Sequence, residues 1–191
     1  MKYITILPLA TFAVGVIAES VAVEPPTKVR RDLAAVTNVI SAVQSGLSAL
    51  DTSVKRFSGQ AASLMSAASS AVDTINSGTT TVDGSSDLFL TDALGLQTPV
   101  KNLQTVGDSL SSSLIGKKSD FESAGLCDTV GTQANNLQTA SNNLIKAIVS
   151  KIPSSAQSIA QSLAAPLEAD LANTVAAFPS GNCSNSGGSS R

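Results

Sequence analysis

The chain has 191 residues, 42% of them apolar and 14% charged, with 12 basic against 14 acidic side chains, two cysteines and no histidine or tryptophan. A formal charge of −2 has the wrong sign for a nucleic-acid binder. Without histidine the chain also has no imidazole base and no His/Cys zinc set, so no metal, cofactor or catalytic residue is expected and non-enzymatic readings come first.

Lys2 and the apolar run Ile4–Ile17, ending in Val16-Ile17-Ala18, read as a secretory signal peptide over residues 1–18. The run is too short to span a bilayer with ease, and no transmembrane segment is expected once it is cleaved. Its loss leaves eleven basic against fourteen acidic residues, a net charge of −3. Residues 19–31 read as a linker or short propeptide, because Pro25-Pro26 forbid helix. The Arg30-Arg31 pair is either an exposed dibasic processing site or the solvated start of the first helix.

From Asp32, a plausible cap, to the glycine stop near Phe57–Gly59, the residues Leu33, Val36, Ile40, Val43, Leu47, Leu50, Val54 and Phe57 recur at helical spacing. The opposite face carries Thr37, Asn38, Ser41, Gln44, Ser45, Ser48 and Thr52 in place of the usual Lys and Glu. A second helix is predicted from about Gln60 to Asn76, with Gly78 just beyond its end, and Ser77–Asp87 has the composition of a loop. Leu88 to Leu94 make a short helix or turn. Thr98-Pro99 opens a third long helix that runs through Val100, Leu103, Gly107, Leu110, Leu114 and Phe121 to about Ser123, closed by Gly125. A fourth, capped by Asp128, extends to Ile152-Pro153, and a fifth runs from Ser154-Ser155 to Phe178 with a kink or break expected at Pro166. Residues 179–191 read as a flexible Ser/Gly-rich tail. Nothing alternates with period two, so the fold predicted for residues 32–178 is all-α, an antiparallel bundle of about five amphipathic helices.

In an oxidising compartment Cys127 and Cys183 most simply form one disulfide, two free thiols being the alternative. Their separation of 56 positions corresponds to about 4 kcal/mol of chain-entropy stabilisation. The block Gly107-Asp108-Ser109-Leu110 matches the nucleophile motif of an esterase and lipase class, but no imidazole exists to activate Ser109 and the block lies inside a periodic helix. Asp120 with Glu122, and Glu168 with Asp170, are two apart on helices and point to different sides. Asn182-Cys183-Ser184 fits the N-glycosylation pattern, weakly because of its central cysteine.

Ala61, Ala62, Ala67, Ala68, Ala71, Ala134, Ala140, Ala160, Ala164 and Ala165 admit two explanations. One is close helix approach in a filled core; the other is an apolar cavity, walled by Leu and Phe, that takes a fatty acyl chain. Phe57, Phe89, Phe121 and Phe178 fall at segment ends, where they could plug such a cavity. The Ser, Thr, Asn and Gln faces cost less to desolvate than Lys or Glu, which suits contact with an apolar surface.

The stretches "DLAAVTNVISAVQSGLSALDTSV", "TPVKNLQTVGDSLSSSLIGKKSDFESAG" and "LIKAIVSKIP", with the signal peptide and Ser/Ala-rich helices, resemble the hydrophobic surface-binding protein A family, which includes fungal cell wall galactomannoproteins. The likeness covers nearly all of 31–178. It implies a secreted or wall-associated bundle that adsorbs to hydrophobic polymer or wax, in some members recruits polyester hydrolases, and in others encloses fatty acids. Its pocket is an apolar lining without a signature, so the lipid-contacting residues are taken from the apolar stripes: Leu47, Leu50, Val54, Leu64, Leu103, Leu110, Leu114, Leu137, Leu144, Ile148, Leu163 and Leu167, with a Ser or Gln near the mouth for the carboxylate. The alternative is a structural mannoprotein without a small-molecule ligand. A wall-enzyme inhibitor bundle would want four cysteines, and the C-terminal residues are not those of a GPI signal.

Overall fold

The computed structural model describes residues 28–186, with side chains from Asp32; the signal peptide and most of the linker lie outside the described residues. The described chain is helical: α1 Lys28–Lys55, α2 Ala61–Asp83, α3 Leu90–Gly95, α4 Gln97–Gly116, α5 Lys118–Ser123, α6 Cys127–Ser150 and α7 Ser154–Ala177. Five are long, as the periodicity predicts, and α3 and α5 are single short turns of helix.

The long helices form a ring in which α1 touches α2 and α4, α4 touches α7, α7 touches α6, and α6 returns to α2. Gly46 faces Ala71 and Thr74 while Gly78 faces Val39, so α1 and α2 run antiparallel, and Gly131 against Phe178 sets the same relation for α6 and α7. Gln104 bonds the Leu163 carbonyl and Ser111 that of Asp170 at 3.2 Å, which makes α4 and α7 parallel. Asp51 meets Ser109 at 3.1 Å and Lys117 Nζ donates to the Phe57 carbonyl at 3.4 Å, so α1 and α4 are parallel too. Successive long helices alternate in direction, but the ring brings non-sequential helices side by side in parallel.

The two ends of the ring differ. At one, Phe121 lies with its ring 4.8 Å from Phe57 and 6.0 Å from Phe178, all three are buried, and the Cys127–Cys183 disulfide ties the chain after α7 to the start of α6. At the other, the α2–α3 connection is held to the α6–α7 turn by Leu88 N–H donating to the Lys151 carbonyl at 2.7 Å and Lys151 Nζ to that of Asp83 at 3.0 Å. Phe89 does not plug this end; it is 61% exposed.

Several boundaries differ from expectation, each for a physical reason. The first helix begins at Lys28, so Arg30-Arg31 is helical and Asp32 is no cap. The second runs through Gly78 to Asp83. There the side chains of Thr79, Thr80 and Thr81 donate to the carbonyls of Ile75, Asn76 and Ser77, which accommodates a β-branched run in a helix. Gly78 is a close-approach residue, since a Cβ there would lie 2.6 Å from Val39 Cγ1. The third predicted helix divides after Gly116 into α4 and α5, a turn that carries fully buried Phe121 into the aromatic cluster. α6 starts at Cys127 rather than beyond Asp128, its first N–H accepted by Asn185 Oδ1 at 2.9 Å. α7 continues through Pro166 without a break; Pro166 and Ser162 are exposed, so the Ser162 carbonyl, which loses its donor, is open to water. Residues 179–186, expected as loose tail, are hydrogen-bonded back to the bundle: Ser186 N–H donates to the Glu122 carbonyl at 2.9 Å and Asn185 Nδ2 to Asp128 at 3.3 Å.

Among the described residues Asp32–Lys55 is long and apolar enough to cross a membrane. In this fold its face of Val36, Ile40, Val43, Leu47, Leu50 and Val54 is buried in the bundle while Asn38, Ser41, Ser45 and Ser48 face outward.

Candidate functional site

The ring encloses an apolar cavity in the half that ends at α3, with a volume of about 100 Å³. On that measure a single water needs about 10–15 Å³. Its wall is drawn from α1 (Ile40, Val43, Leu47), α3 (Leu90, Ala93, Leu94), α4 (Val100, Leu103), α6 (Leu144, Ile145, Ile148, Val149) and α7 (Ala156, Ile159, Ala160, Leu163, Ala164, Leu167), together with Leu96 and Ile152. Ala156, Ala160 and Ala164 follow one another at four-residue steps on α7, so a stripe of methyl-sized side chains faces the void. The polar lining residues are Gln97, half-buried at the start of α4, and Ser141, buried at mid-bundle.

A smaller void of about 20 Å³ sits in the sealed half, between Leu50, Leu64, Met65, Ala68, Leu114, Val130, Gln133, Ala134 and Leu137. The twelve apolar residues named from the stripes therefore separate. Leu47, Leu103, Leu144, Ile148, Leu163 and Leu167 line the larger cavity, Leu50, Leu64, Leu114 and Leu137 line the smaller, and Val54 and Leu110 line neither, being packed in the core. Sequence reasoning missed the α3 residues and Ile40, Val43, Leu96, Val100, Ile145, Val149, Ile152, Ala156 and Ile159. Ile40, Val43 and Val100 belong to stripes already recognised, so their spacing was a usable signal. Leu90 and Leu94 are about half-exposed and no periodicity marks them as lining, whereas Ile159, equally exposed, stands at four-residue steps with Leu163 and Leu167, so its spacing was a usable signal.

Between α1 and α4 lies a polar cluster. Asp51 Oδ2 accepts from Lys55 Nζ at 2.7 Å and from Ser109 Oγ at 3.1 Å, and Ser109 Oγ accepts from Lys55 at 3.3 Å. Burial alone would push the Asp51 carboxyl up, but hydrogen bonds from Lys55, Ser113 and Ser109 and the Lys55 charge together hold it below the ordinary aspartate range. The Ser109 hydroxyl thus donates to a carboxylate held below its ordinary range, which is too weak a base to take the proton that an activated serine must lose. Between α4 and α7, Thr174 Oγ1 donates to Ser111 Oγ at 2.7 Å, and Asp170, raised by burial and by Asp108, sits beside them.

The Cys127 and Cys183 sulfurs lie close to the Glu122 carboxylate but are bonded to each other, so they offer no thiolate to a metal. Asn182 is exposed, with its Nδ2 donating to the Ala176 carbonyl at 2.8 Å.

A family model described as hydrophobic surface binding protein A matches residues 33–150. Over 135 residues, 70% of the chain, it is 37% identical to cell wall mannoprotein 1 of Aspergillus fumigatus, and over 62% it is 32% identical to that of Aspergillus flavus. The chain spans less than half the length of each of these relatives, 47% and 44%. Among solved structures, ligand binding domain 1 of the Penicillium marneffei MP1 protein, complexed with arachidonic acids, superposes with a TM-score of 0.75 at 21% identity, covering 78% of this chain and 99% of that one. Afmp4p in complex with palmitic acid superposes at 0.71 and 18% identity, covering 77% and 99%. At those identities the structures establish a shared fold.

Proposed function

The chain belongs to the hydrophobic surface binding protein A family, and from that premise we propose that residues 32–178 form a non-catalytic unit that takes a fatty acyl chain into the cavity beside α3 and adsorbs to hydrophobic surfaces. The observation that carries this reading is a partly open void with an almost wholly apolar wall, backed by packed core towards the aromatic end and bounded at the other by half-exposed apolar side chains. Burial of methylenes, worth about 0.8 kcal/mol each, supplies the affinity. The relatives solved with arachidonic and palmitic acids share the fold, which supports a single-chain amphiphile as the ligand class.

Leu47, Leu103, Leu144, Ile148, Leu163 and Leu167 would contact the chain, and the Gln97 amide, at the mouth, would meet the carboxylate. The free space is several waters in volume, so a long chain enters by displacing Leu90, Leu94 and Ile159 outward. Native mass spectrometry of delipidated protein against C16 to C20 fatty acids tests the cavity: the expected outcome is a stoichiometric complex, and a ligand-free spectrum across the panel overturns it.

The names of the curated relatives favour a secreted protein of the cell wall, and we place this chain there, exported by residues 1–18. The same names support a second reading, a structural mannoprotein without a lipid ligand, which predicts covalent wall retention and no bound fatty acid. We further propose that the adsorbed protein recruits a polyester hydrolase, which co-adsorption of the two proteins on a polyester film would test.

A further inference from the structure

Phe89, Leu90, Leu94 and Ile159 are 61%, 50%, 55% and 53% exposed, and they account for four of the five large apolar side chains most open to solvent among the described residues. They are also clustered. Phe89 to Leu94 is one turn of helix and its cap, and Leu90, Leu94 and Ile159 share the wall of the same cavity. One apolar surface therefore continues from solvent across α3 into the interior. α3 has no buried residue and touches only α4 and α7 with any extent, so it is the helix least fastened to the ring.

We propose that α3 with Ile159 is a docking face for an uncharged lipid layer, and that the cavity is loaded through this face while the protein sits on the layer. The proposal rests on the acyl-binding reading above and adds where and from what the ligand enters. Continuity with the cavity identifies the occupant, because a lipid layer matches the exposed patch and its chains match the void behind it, whereas a protein partner or a second copy would cap the mouth. Charge narrows the choice of lipid. The α3 segment itself, Gly84 to Val100, carries Asp87 and Asp92 and no Lys or Arg, and the nearby Lys151 is engaged with the Asp83 carbonyl, so the part that meets the layer offers anionic headgroups no cationic partner and an uncharged layer suits it better. Asp92 Oδ2 accepts the Phe89 N–H at 3.1 Å, which holds the first turn of α3 together while its side chains contact lipid.

Stopped-flow transfer of a fluorescent fatty acid from phosphatidylcholine vesicles to the protein tests the idea. Loading by collision predicts a rate that climbs in proportion to vesicle concentration; loading from dissolved ligand predicts a rate that ignores it. Phe89→Ser should cut the transfer rate and co-flotation with vesicles by about tenfold, the scale of one exposed aromatic, with the equilibrium affinity for fatty acid in buffer unchanged. Phe89 does not line the cavity, and serine is a good helix cap. Leu90→Ser/Leu94→Ser should abolish co-flotation, with the helical circular dichroism intact. Three results would overturn the proposal: a rate independent of vesicle concentration, faster transfer from phosphatidylserine vesicles, or self-association through the patch that Phe89→Ser removes. If wild type binds no fatty acid in buffer, the cavity reading fails by itself, and co-flotation of wild type against Phe89→Ser still decides the docking face.

Discussion

Ser45, Thr52, Thr74, Thr80 and Thr81 each donate their hydroxyl to the carbonyl four residues earlier. A hydroxyl so engaged keeps its hydrogen bond when water is removed, so the uncharged faces lose less on dehydration than freely hydrated polar groups would. That is what the missing Lys and Glu of the α1 exterior accomplish. The two perturbed aspartates act in opposite senses. The folded Asp51 value is depressed, so its stabilisation is present above the ordinary aspartate pKa of about 3.9 and lost as pH falls through the folded value. The folded Asp170 value is raised, so its ionisation costs stability at neutral pH and the cost vanishes in acid. Thermal melts from about pH 7 to about pH 2 should therefore show Asp51→Asn destabilised at neutral pH with a flatter acid limb, and Asp170→Asn stabilised at neutral pH but not in acid.

At the scale of elements, α2 shows what composition hides. Thr79-Thr80-Thr81 beside a glycine reads as loop because β-branched polar residues are poor helix formers, yet the α1 contact at Gly78 and the back-bonded hydroxyls carry the helix on to Asp83. Gly78→Ala should lower stability by about 1 kcal/mol in urea titration, because overpacking against stiff Val39, about 1–3 kcal/mol, exceeds the helix propensity gained, about 1 kcal/mol. Gly116, whose Cβ would meet nothing within 4 Å, is the contrast, and Gly116→Ala should gain about 0.5 kcal/mol. In α7, Pro166→Ala would restore a donor to the Ser162 carbonyl and should raise stability by about 1–3 kcal/mol, provided the exposed position relaxes freely. A loss there would mean that Pro166 shapes the cavity wall formed by its neighbours Ala164 and Leu167.

For the whole molecule, five helices arranged in a ring surround an axis that no helix occupies, and what fills that axis depends on side-chain size. In the sealed half Phe57, Phe121 and Phe178 fill it; in the other half Ala156, Ala160 and Ala164 leave it open. Ala160→Leu should raise the melting temperature by filling the void and lower fatty-acid affinity tenfold or more, a pair of changes that filling alone produces together. Cys127→Ala/Cys183→Ala should cost about 4 kcal/mol yet leave fatty-acid binding nearly intact, since the disulfide closes the opposite end.

The 3.6-residue recurrence of Val36, Ile40, Val43, Leu47, Leu50 and Val54, and of its counterparts in α4 and α6, determined the helical class, because burying such stripes together is the only way to remove them from water. Export chemistry and two cysteines determined the disulfide. Periodicity reports which residues turn inward, and it says nothing of what stands opposite. Whether Leu47 faces a void while Val54, two turns on, faces packed core was decided by the order of helices around the ring, and so was the placing of Leu90, Leu94 and Ile159 at the mouth. Those contacts join residues far apart in sequence, and no local spacing encodes them.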